Sequence, residues 1–322
     1  MELFMGVDIG GTETKMGLFS KEGELQEKWA FPTNLQDAGS HIIPDVAKEV
    51  REGMKRLHYK EADLKGIGLG IPGPVAKGGY VKTCVNLNWH EFHPVKELQT
   101  YFPELEVAAG NDANVAALGE YYKGAGKKYS SMMLVTLGTG VGGGIILDGK
   151  ILLGAHGIAG EIGHIGAGKS KKNRCNCGNE GCVDQWASAT GIVNRARELL
   201  EERSEPSLLR DREPLTAKEI CDSAKEGDKL ALQCLEDCME PLGKALAYFS
   251  HAFDPEGYVI GGGVSRAGEI LIEQIKKSYE KYIYLVPEAA EIVQAELGND
   301  AGITGACMLA ITAWKEKGEK SC

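Results

Sequence analysis

One histidine and three cysteines lie within nineteen residues near the middle of the chain: His164, Cys175, Cys177 and Cys182. Three thiolates and one imidazole make a complete tetrahedral ligand set for Zn²⁺ with no position left for water, which is typical of a structural rather than a catalytic zinc site. The alternative is three unpaired thiols and a chance histidine. The asparagines and glycines between the cysteines favour zinc, because they allow the tight turns that wrap a chain around one ion.

Two acidic residues flank this cluster, Glu161 before the histidine and Asp184 after the last cysteine. A histidine that binds zinc through one ring nitrogen can present the other nitrogen to a partner. The two acids could instead be ordinary surface residues. Because a metal ion would fix the loop that carries them, we expect them to contact hydroxyl groups of a sugar.

Three glycine-rich turns each follow a predicted strand, at residues 8–12, 137–144 and 261–264. Glycine lets backbone amides approach a phosphate closely, and a threonine hydroxyl adds a further donor. None of the three matches a Walker motif or a dinucleotide fingerprint. One such turn alone is more often a plain turn, but three at strand ends favour a nucleotide-binding cleft.

Asp8 begins the first of these turns, where a carboxylate could hold Mg²⁺ together with phosphate oxygens and water. Lys15 lies on the following predicted strand. It either reaches a phosphate or is a solvated strand residue, and both interpretations stay open.

Asn111 and Asp112 follow another predicted strand and begin a helix. Asp112 could simply cap that helix. A cap needs only one such residue, however, and here two are adjacent, with Asn114 close by. A carboxylate beside an amide suits a general base that accepts a hydroxyl proton while its neighbour holds the same substrate. Phosphoryl transfer needs little more from a protein than such a base, a metal ion and positioning.

The composition excludes several classes of protein. The 322 residues are 43% hydrophobic and 25% charged, as in a globular protein long enough for two domains. The formal net charge of -10 disfavours nucleic acid as a partner. There is no signal-peptide pattern and no apolar run of about 20 residues that would span a membrane. Nine scattered cysteines fit a reducing cytoplasm.

Alternating strand and helix patterns predict an α/β fold. Glycine and threonine recur together in two hairpin turns, at residues 11–12 and 138–139, which indicates two related halves with a cleft between them. Apolar spacing predicts a long helix over residues 230–249, kinked at Pro241, and a final helix from about residue 303.

Together these segments resemble the ROK family of bacterial sugar kinases and repressors, most closely its glucokinase branch, over nearly the whole chain. The resemblance rests on the cysteine cluster and on the segments 8–12 (DIGGT), 70–74 (GIPGP), 86–89 (NLNW), 111–114 (NDAN), 137–142 (LGTGVG), 160–164 (GEIGH), 261–263 (GGG) and 297–302 (LGNDAG). It implies a two-domain actin-like ATPase fold, which is ribonuclease H-like, with an interdomain cleft and a zinc-bound loop. The expected domains are a smaller one over residues 1–118, with the helix at about 303–322 packed back on it, and a larger one over residues 119–302.

The resemblance also implies roles for individual residues. Asp112 would be the base that deprotonates the 6-hydroxyl of a hexose for attack on the γ-phosphate of ATP. The sugar would be held by Gly73, Asn86, Asn111, Asp112, Glu161, His164 and Asp184. The nucleotide, with Mg²⁺, would be held by Asp8, Gly10, Gly11, Thr12, Lys15, Thr139, Gly140, Gly262 and Gly263. His164 would also bind the structural Zn²⁺ with the three cysteines.

At one position the chain departs from the family pattern, because the family's sugar kinases usually carry glutamate where this chain has Asp184. The shorter side chain leaves the preferred hexose open. Glucose is expected first, with N-acetylmannosamine or another hexose as the alternative. The family's repressors carry a DNA-binding domain before the first phosphate turn, and with that turn at Asp8 a repressor is less expected. A zinc-ribbon interaction module would leave the phosphate turns unexplained. Family resemblance further suggests a homodimer or homotetramer.

Overall fold

The computed structural model describes residues 1–168, 174–285 and 288–320. Its strands are β1 (Leu3–Ile9), β2 (Glu13–Ser20), β3 (Leu25–Pro32), β4 (Leu64–Ile71), β5 (Val81–Cys84), β6 (Trp89–Phe92), β7 (Glu106–Asn111), β8 (Met132–Leu137), β9 (Val141–Leu147), β10 (Lys150–Ile151), β11 (Gly257–Gly261) and β12 (Glu291–Gln294). Its α-helices are α1 (Gln36–Gly39), α2 (Ile42–Arg56), α3 (Pro94–Tyr101), α4 (Asp112–Lys123), α5 (Asp184–Ala187), α6 (Ala189–Glu202), α7 (Ala217–Lys225), α8 (Lys229–Phe253), α9 (Glu269–Tyr282) and α10 (Ala301–Lys320).

The chain divides into two units. The first consists of residues 1–127, 151–159 and 299–322, and the second of residues 128–150 and 160–298. The first boundary therefore follows the end of α4, whereas the expected boundary after residue 118 would cut that helix. Residues 151–159 also return to the first unit, which nothing in the sequence indicated.

The first unit is built on a five-stranded sheet with the order β3-β2-β1-β4-β7. The central strand β1 pairs antiparallel with β2 and parallel with β4. Its apolar residues are almost completely buried, as expected for a strand covered on both faces. The glycine-rich turn at residues 10–12 joins β1 to β2, and β7 leads directly into α4. The sheet thus positions both the first phosphate turn and the Asn111–Asp112 pair.

The last helix, α10, belongs to this first unit although it comes from the far end of the chain. Its residues Ile303 and Cys307 form a buried apolar cluster with Phe4 of β1 and Phe19 of β2. The sequence predicted a helix from about residue 303, and the observed helix starts two residues earlier. Residues 321–322, the end of the expected helix, lie outside the described part of the chain.

The second unit contains a five-stranded sheet with the order β10-β9-β8-β11-β12. Here too an antiparallel hairpin, β8–β9, is followed by two parallel strands. The same order in both sheets agrees with the prediction from the two glycine–threonine hairpins. The long helix α8 runs from Lys229 to Phe253 with Pro241 inside it, and its buried face contributes much of this unit's core. Among the described residues, no helix is both long and apolar enough to cross a membrane.

Candidate active site and metal cluster

Asn111 and Asp112 divide two tasks at the start of α4. Asn111 is the cap, because its Oδ1 accepts a hydrogen bond from the backbone N–H of Asn114 at 3.1 Å. Its Nδ2 donates both to the carbonyl oxygen of Gly73 (3.0 Å) and to Oδ1 of Asp112 (3.0 Å). Oδ1 of Asp112 also accepts from the N–H of Ala113 at 2.8 Å. The half-buried carboxylate is therefore oriented by two donors at a helix N-terminus, where a negative charge is favoured.

The loop that carries Asn86 lies beside these residues. Asn86 occupies the 3-10 turn Val85–Leu87, and its side chain is exposed. A Cβ atom added to Gly11 would lie 3.1 Å from the carbonyl oxygen of Asn86, so this turn touches the first phosphate turn. The thiol of Cys84 donates to the carbonyl oxygen of Pro72 at 2.9 Å. Burial raises the pKa of Cys84, and the nearby negative charge of Asp112 raises it further.

The first phosphate turn (residues 8–12) is braced by Thr33, the residue that directly follows the end strand β3. Thr33 donates from its hydroxyl to the carbonyl oxygen of Gly10 (2.7 Å) and from its N–H to the carbonyl oxygen of Thr12 (3.0 Å). The N–H of Gly10 is bonded to the carbonyl oxygen of Glu13 at 3.0 Å. The two bonds from Thr33 therefore fix the carbonyl groups of Gly10 and Thr12.

Asp8 and Lys15 lie opposite each other on β1 and β2. Burial raises the pKa of Asp8, and the positive charge of Lys15 partly counteracts that effect. The carboxylate lies against the first turn of α10, where a Cβ atom added to Gly302 would be 2.6 Å from both Cγ and Oδ2 of Asp8. A carboxylate at this place suits Mg²⁺, which prefers one or two carboxylates together with phosphate oxygens.

The structure gathers His164, Cys175, Cys177 and Cys182 into one cluster, with all four ligand atoms within 4.8 Å of one another. Nδ1 of His164 lies 3.6 Å from Sγ of Cys175, and Sγ of Cys177 lies 3.6 Å from Sγ of Cys182. Ligands of a tetrahedral zinc, at about 2.0–2.3 Å from the metal, are separated from one another by about 3.5–3.8 Å. The observed spacing therefore fits zinc, and it is far longer than a disulfide bond of about 2.05 Å.

Burial, together with the neighbouring thiols Cys177 and Cys175, raises the pKa of the Cys182 thiol to about 12. The backbone N–H of Asn179 lowers the pKa of the exposed Cys177. A metal ion held among such thiols deprotonates them.

Glu161 immediately precedes the 3-10 turn Ile162–His164, and His164 is the last residue of that turn. Both side chains are exposed. Nδ1 of His164 faces the cysteines, so the other ring nitrogen is not the one that lies next to Cys175.

Asp184 contacts the second of the three glycine-rich turns, at residues 137–144 (the second phosphate turn). Its Oδ1 accepts a hydrogen bond from the backbone N–H of Val141 at 2.7 Å, and a Cβ atom added to Gly140 would lie 2.8 Å from the same oxygen. This contact of a residue just after the last cysteine was not expected, since the sequence pointed only to a sugar contact. It arises from tertiary packing that no local pattern encodes.

A cavity of about 570 Å³ in the second unit adjoins the same turn. It is lined by the predicted residues Thr139 and Gly263, whereas Gly140 and Gly262 do not line it. Gly138 and Val264 also line it and belong to the predicted glycine-rich turns. The other lining residues lie outside every segment that the sequence pointed to: Ala189, Thr216, Ala217, Lys218, Cys221, Asp222, Arg266 and Ala267. One signal was present, because Thr216 with glutamate three residues later is typical of a helix start, and its hydroxyl does cap α7.

These features define a class of protein. Both units carry a mixed sheet of the same strand order with a glycine-rich hairpin turn after its first strand, which is the fold of the actin-like ATPase sugar kinases. The chain belongs to the ROK family, whose model matches residues 4–313.

Individual relatives are similar along almost the whole chain. A glucokinase of Halalkalibacterium halodurans is 44% identical over 307 residues, which cover 94% of this chain and 93% of that protein. An N-acetyl-D-glucosamine kinase of Vibrio cholerae is 33% identical over 323 residues, covering 96% and 100%. The crystal structure of a ROK family glucokinase from Streptomyces griseus in complex with glucose and AMPPNP has a TM-score of 0.78 at 31% identity, covering 96% of this chain and 99% of that one.

Proposed function

We propose that this protein is a glucokinase, which transfers the γ-phosphoryl group of ATP to the 6-hydroxyl of glucose. The observation that carries this proposal is the Asp112 carboxylate, oriented by Asn111 and Ala113 at the start of α4, in a chain 44% identical to a glucokinase. An oriented carboxylate is what a general base for a hydroxyl proton requires.

In the proposed reaction Asp112 accepts the proton of the sugar 6-hydroxyl as the hydroxyl oxygen attacks the γ-phosphorus of ATP. The bond between that phosphorus and the β,γ-bridging oxygen breaks, and ADP leaves. Asn111 orients Asp112 and, with Gly73 and Asn86, lines the sugar site. Glu161 and His164 bind further hydroxyls. Since most catalysis of phosphoryl transfer is positioning and electrostatic stabilisation, these contacts and the base would supply the sugar side of the step.

The nucleotide would bind through the glycine-rich turns. Gly10, Gly11, Thr12, Thr139 and Gly140 would contact its phosphates, with Lys15 as a further cation. Gly262 and Gly263 would lie near the adenosine, for which the 570 Å³ cavity offers room. Mg²⁺, bound by Asp8 together with phosphate oxygens, would neutralise phosphate charge.

Zinc has a separate role in this proposal. His164, Cys175, Cys177 and Cys182 would hold one Zn²⁺, which supplies structure and leaves no coordination position for substrate. The proposed compartment is the cytoplasm, where such thiols stay reduced. The proposed assembly is a homodimer or homotetramer, which light scattering of the purified protein would measure.

The base assignment is tested by Asp112→Asn. We expect kcat to fall by about 10²–10⁴-fold, the usual contribution of a general base, while calorimetry still detects glucose binding. Asp211→Asn, an exposed acid in the other unit, is the control and should keep full turnover. Retained turnover in Asp112→Asn would contradict the assignment.

The substrate assignment is tested by coupling ADP release to an optical readout across glucose, mannose, N-acetylmannosamine, N-acetylglucosamine, fructose and allose. Glucose should give the highest kcat/KM. A preference for an N-acetylated sugar would instead match the kinase from Vibrio cholerae and would replace glucokinase by the alternative kinase of the same family.

A further inference from the structure

The second phosphate turn is held from outside by one short segment, residues 184–190. The N–H of Val141 donates to Oδ1 of Asp184 at 2.7 Å. The N–H of Ala189 donates to the carbonyl oxygen of Gly138 at 2.8 Å, and the hydroxyl of Thr190 donates to the carbonyl oxygen of Thr139 at 3.2 Å. Gly138, Thr139 and Val141 of the turn are therefore all bonded to the same segment.

The contact of Asp184 is the only one of these three that involves a charged group, and bonds to a charged acceptor are roughly twice as strong as neutral ones. It depends on Gly140, because a Cβ atom at that position would lie 2.8 Å from the same carboxylate oxygen. The glycine thus permits the close approach that brings the carboxylate to the N–H of Val141.

The same segment is joined by hydrogen bonds to the residues that carry the cysteine cluster. Oε1 of Gln185 accepts from the N–H of Gly181 (2.8 Å) and of Cys182 (3.2 Å). The side chain of Val183 is buried, and its N–H donates to the carbonyl oxygen of Ile165 at 3.0 Å. Only Val183 separates the cluster ligand Cys182 from Asp184.

We propose that Asp184 is a positioning residue for the nucleotide, which transmits the order of the cysteine cluster to the phosphate turn at residues 138–141. The inference rests on the proposed function in that it takes this turn as a phosphate site. It changes the role expected for Asp184, because the carboxylate that was assigned to the sugar holds the nucleotide turn. Disorder in the cluster would then weaken nucleotide binding as well as sugar binding.

The test measures binding without turnover. Calorimetry gives the Kd of a non-hydrolysable ATP analogue in the absence of sugar, and the Kd of glucose in the absence of nucleotide. Asp184→Ala should weaken nucleotide binding at least about tenfold, as expected when a hydrogen bond to a charged group is lost. Asp184→Asn retains an acceptor and should lose less. Asp211→Ala, at an exposed site of the same unit, should change neither Kd.

Two further measurements keep the test decisive. Metal content must stay at about one ion per chain in Asp184→Ala, which separates positioning from loss of the ion. Thr190→Val removes a second bond to the same turn without altering any residue next to the cysteines, and should weaken nucleotide binding about two- to tenfold. It serves as the reporter if Asp184→Ala does not fold.

An unchanged nucleotide Kd in Asp184→Ala, with a weaker glucose Kd, would overturn the proposal and return Asp184 to the sugar. An unchanged nucleotide Kd in Thr190→Val would count against it as well. Failure of the proposed function is distinguishable, because a wild-type protein that does not phosphorylate glucose could still show nucleotide binding that depends on Asp184.

Discussion

At the scale of single residues, the position of Asp8 depends on Gly302 of α10, which has no side chain. Its carboxylate occupies the space that a Cβ atom at Gly302 would fill, 2.6 Å from Cγ and Oδ2. Real side chains do not approach so closely, so an alanine at residue 302 must displace the carboxylate or the start of α10. Displacement by even about 1 Å matters for a group that is proposed to bind a phosphate-bound metal ion.

We therefore expect Gly302→Ala to lower kcat by about tenfold or more and to raise the Mg²⁺ concentration needed for half-maximal rate. Gly318→Ala is a matched control on the same helix, because no atom lies within 4 Å of the added Cβ. It should leave kinetics unchanged and favour the helix slightly. Equal Mg²⁺ dependence in the two variants would show that Asp8 does not depend on Gly302.

Asp8 also makes a prediction about pH. Its pKa in the folded protein is raised above the ordinary 3.8, chiefly by burial, so its ionised form opposes folding. That cost is absent below the ordinary pKa and grows as pH rises from there through the raised value. Asp8→Asn should therefore unfold at a higher temperature than wild type at pH 7, while losing turnover.

Thermal melts from pH 7 down to about 4 check this sign, since the advantage of Asp8→Asn should shrink as pH falls toward 3.8. Asp211→Asn, at an exposed site, should show no such trend. A variant less stable than wild type at pH 7 would mean that the attraction between the charges of Asp8 and Lys15 outweighs the cost of burial.

At the scale of elements, the ligand atoms of His164, Cys175, Cys177 and Cys182 converge on one point, so a bound ion would hold together the short segments that carry them. Chelation, or Cys175→Ser, should therefore lower the metal content from about one ion per chain to near zero and reduce the melting temperature. Asn176→Ala changes an exposed residue of the same turn that is not a ligand and should keep the metal. Metal analysis that finds no zinc in protein purified without chelator would contradict the assignment of a structural zinc site.

The sequence predicted those parts of the site whose residues lie close together in the chain, and it did not predict contacts between residues far apart in the chain. The four cluster ligands and the Asn111–Asp112 pair lie within short segments, so their spacing alone indicated that they would meet. The bond from Val141 to Asp184 joins residues 43 positions apart, and Arg266 comes to the cavity from another segment again. Such contacts depend on how helices pack on the sheet, which apolar periodicity does not specify.

At the scale of the whole molecule, both units repeat one strand order, which agrees with the two related halves that the paired hairpin turns indicated. The boundaries were harder to predict, because the chain returns to the first unit twice, at residues 151–159 and 299–322. The sequence indicates that a distant segment packs on an earlier unit only when that segment is a helix whose apolar residues must be buried against another element. For α10 that partner is the sheet of the first unit, through Phe4 and Phe19.

Stability of the first unit should therefore depend on the last helix of the chain. Ile303 is almost completely buried, at 1% exposure, in the cluster with Phe4 and Phe19. Ile303→Ala should lower the free energy of unfolding by about 2–5 kcal/mol, as buried isoleucines do when truncated to alanine. Ile158→Ala, in the same unit but 58% exposed, makes the same chemical change and should cost less than about 0.5 kcal/mol. Urea denaturation followed by tryptophan fluorescence measures both, and Trp314 on α10 reports directly because its ring contacts Phe4 at 5.6 Å between centroids. Equal midpoints for the two variants would mean that α10 contributes little to the stability of the sheet it covers.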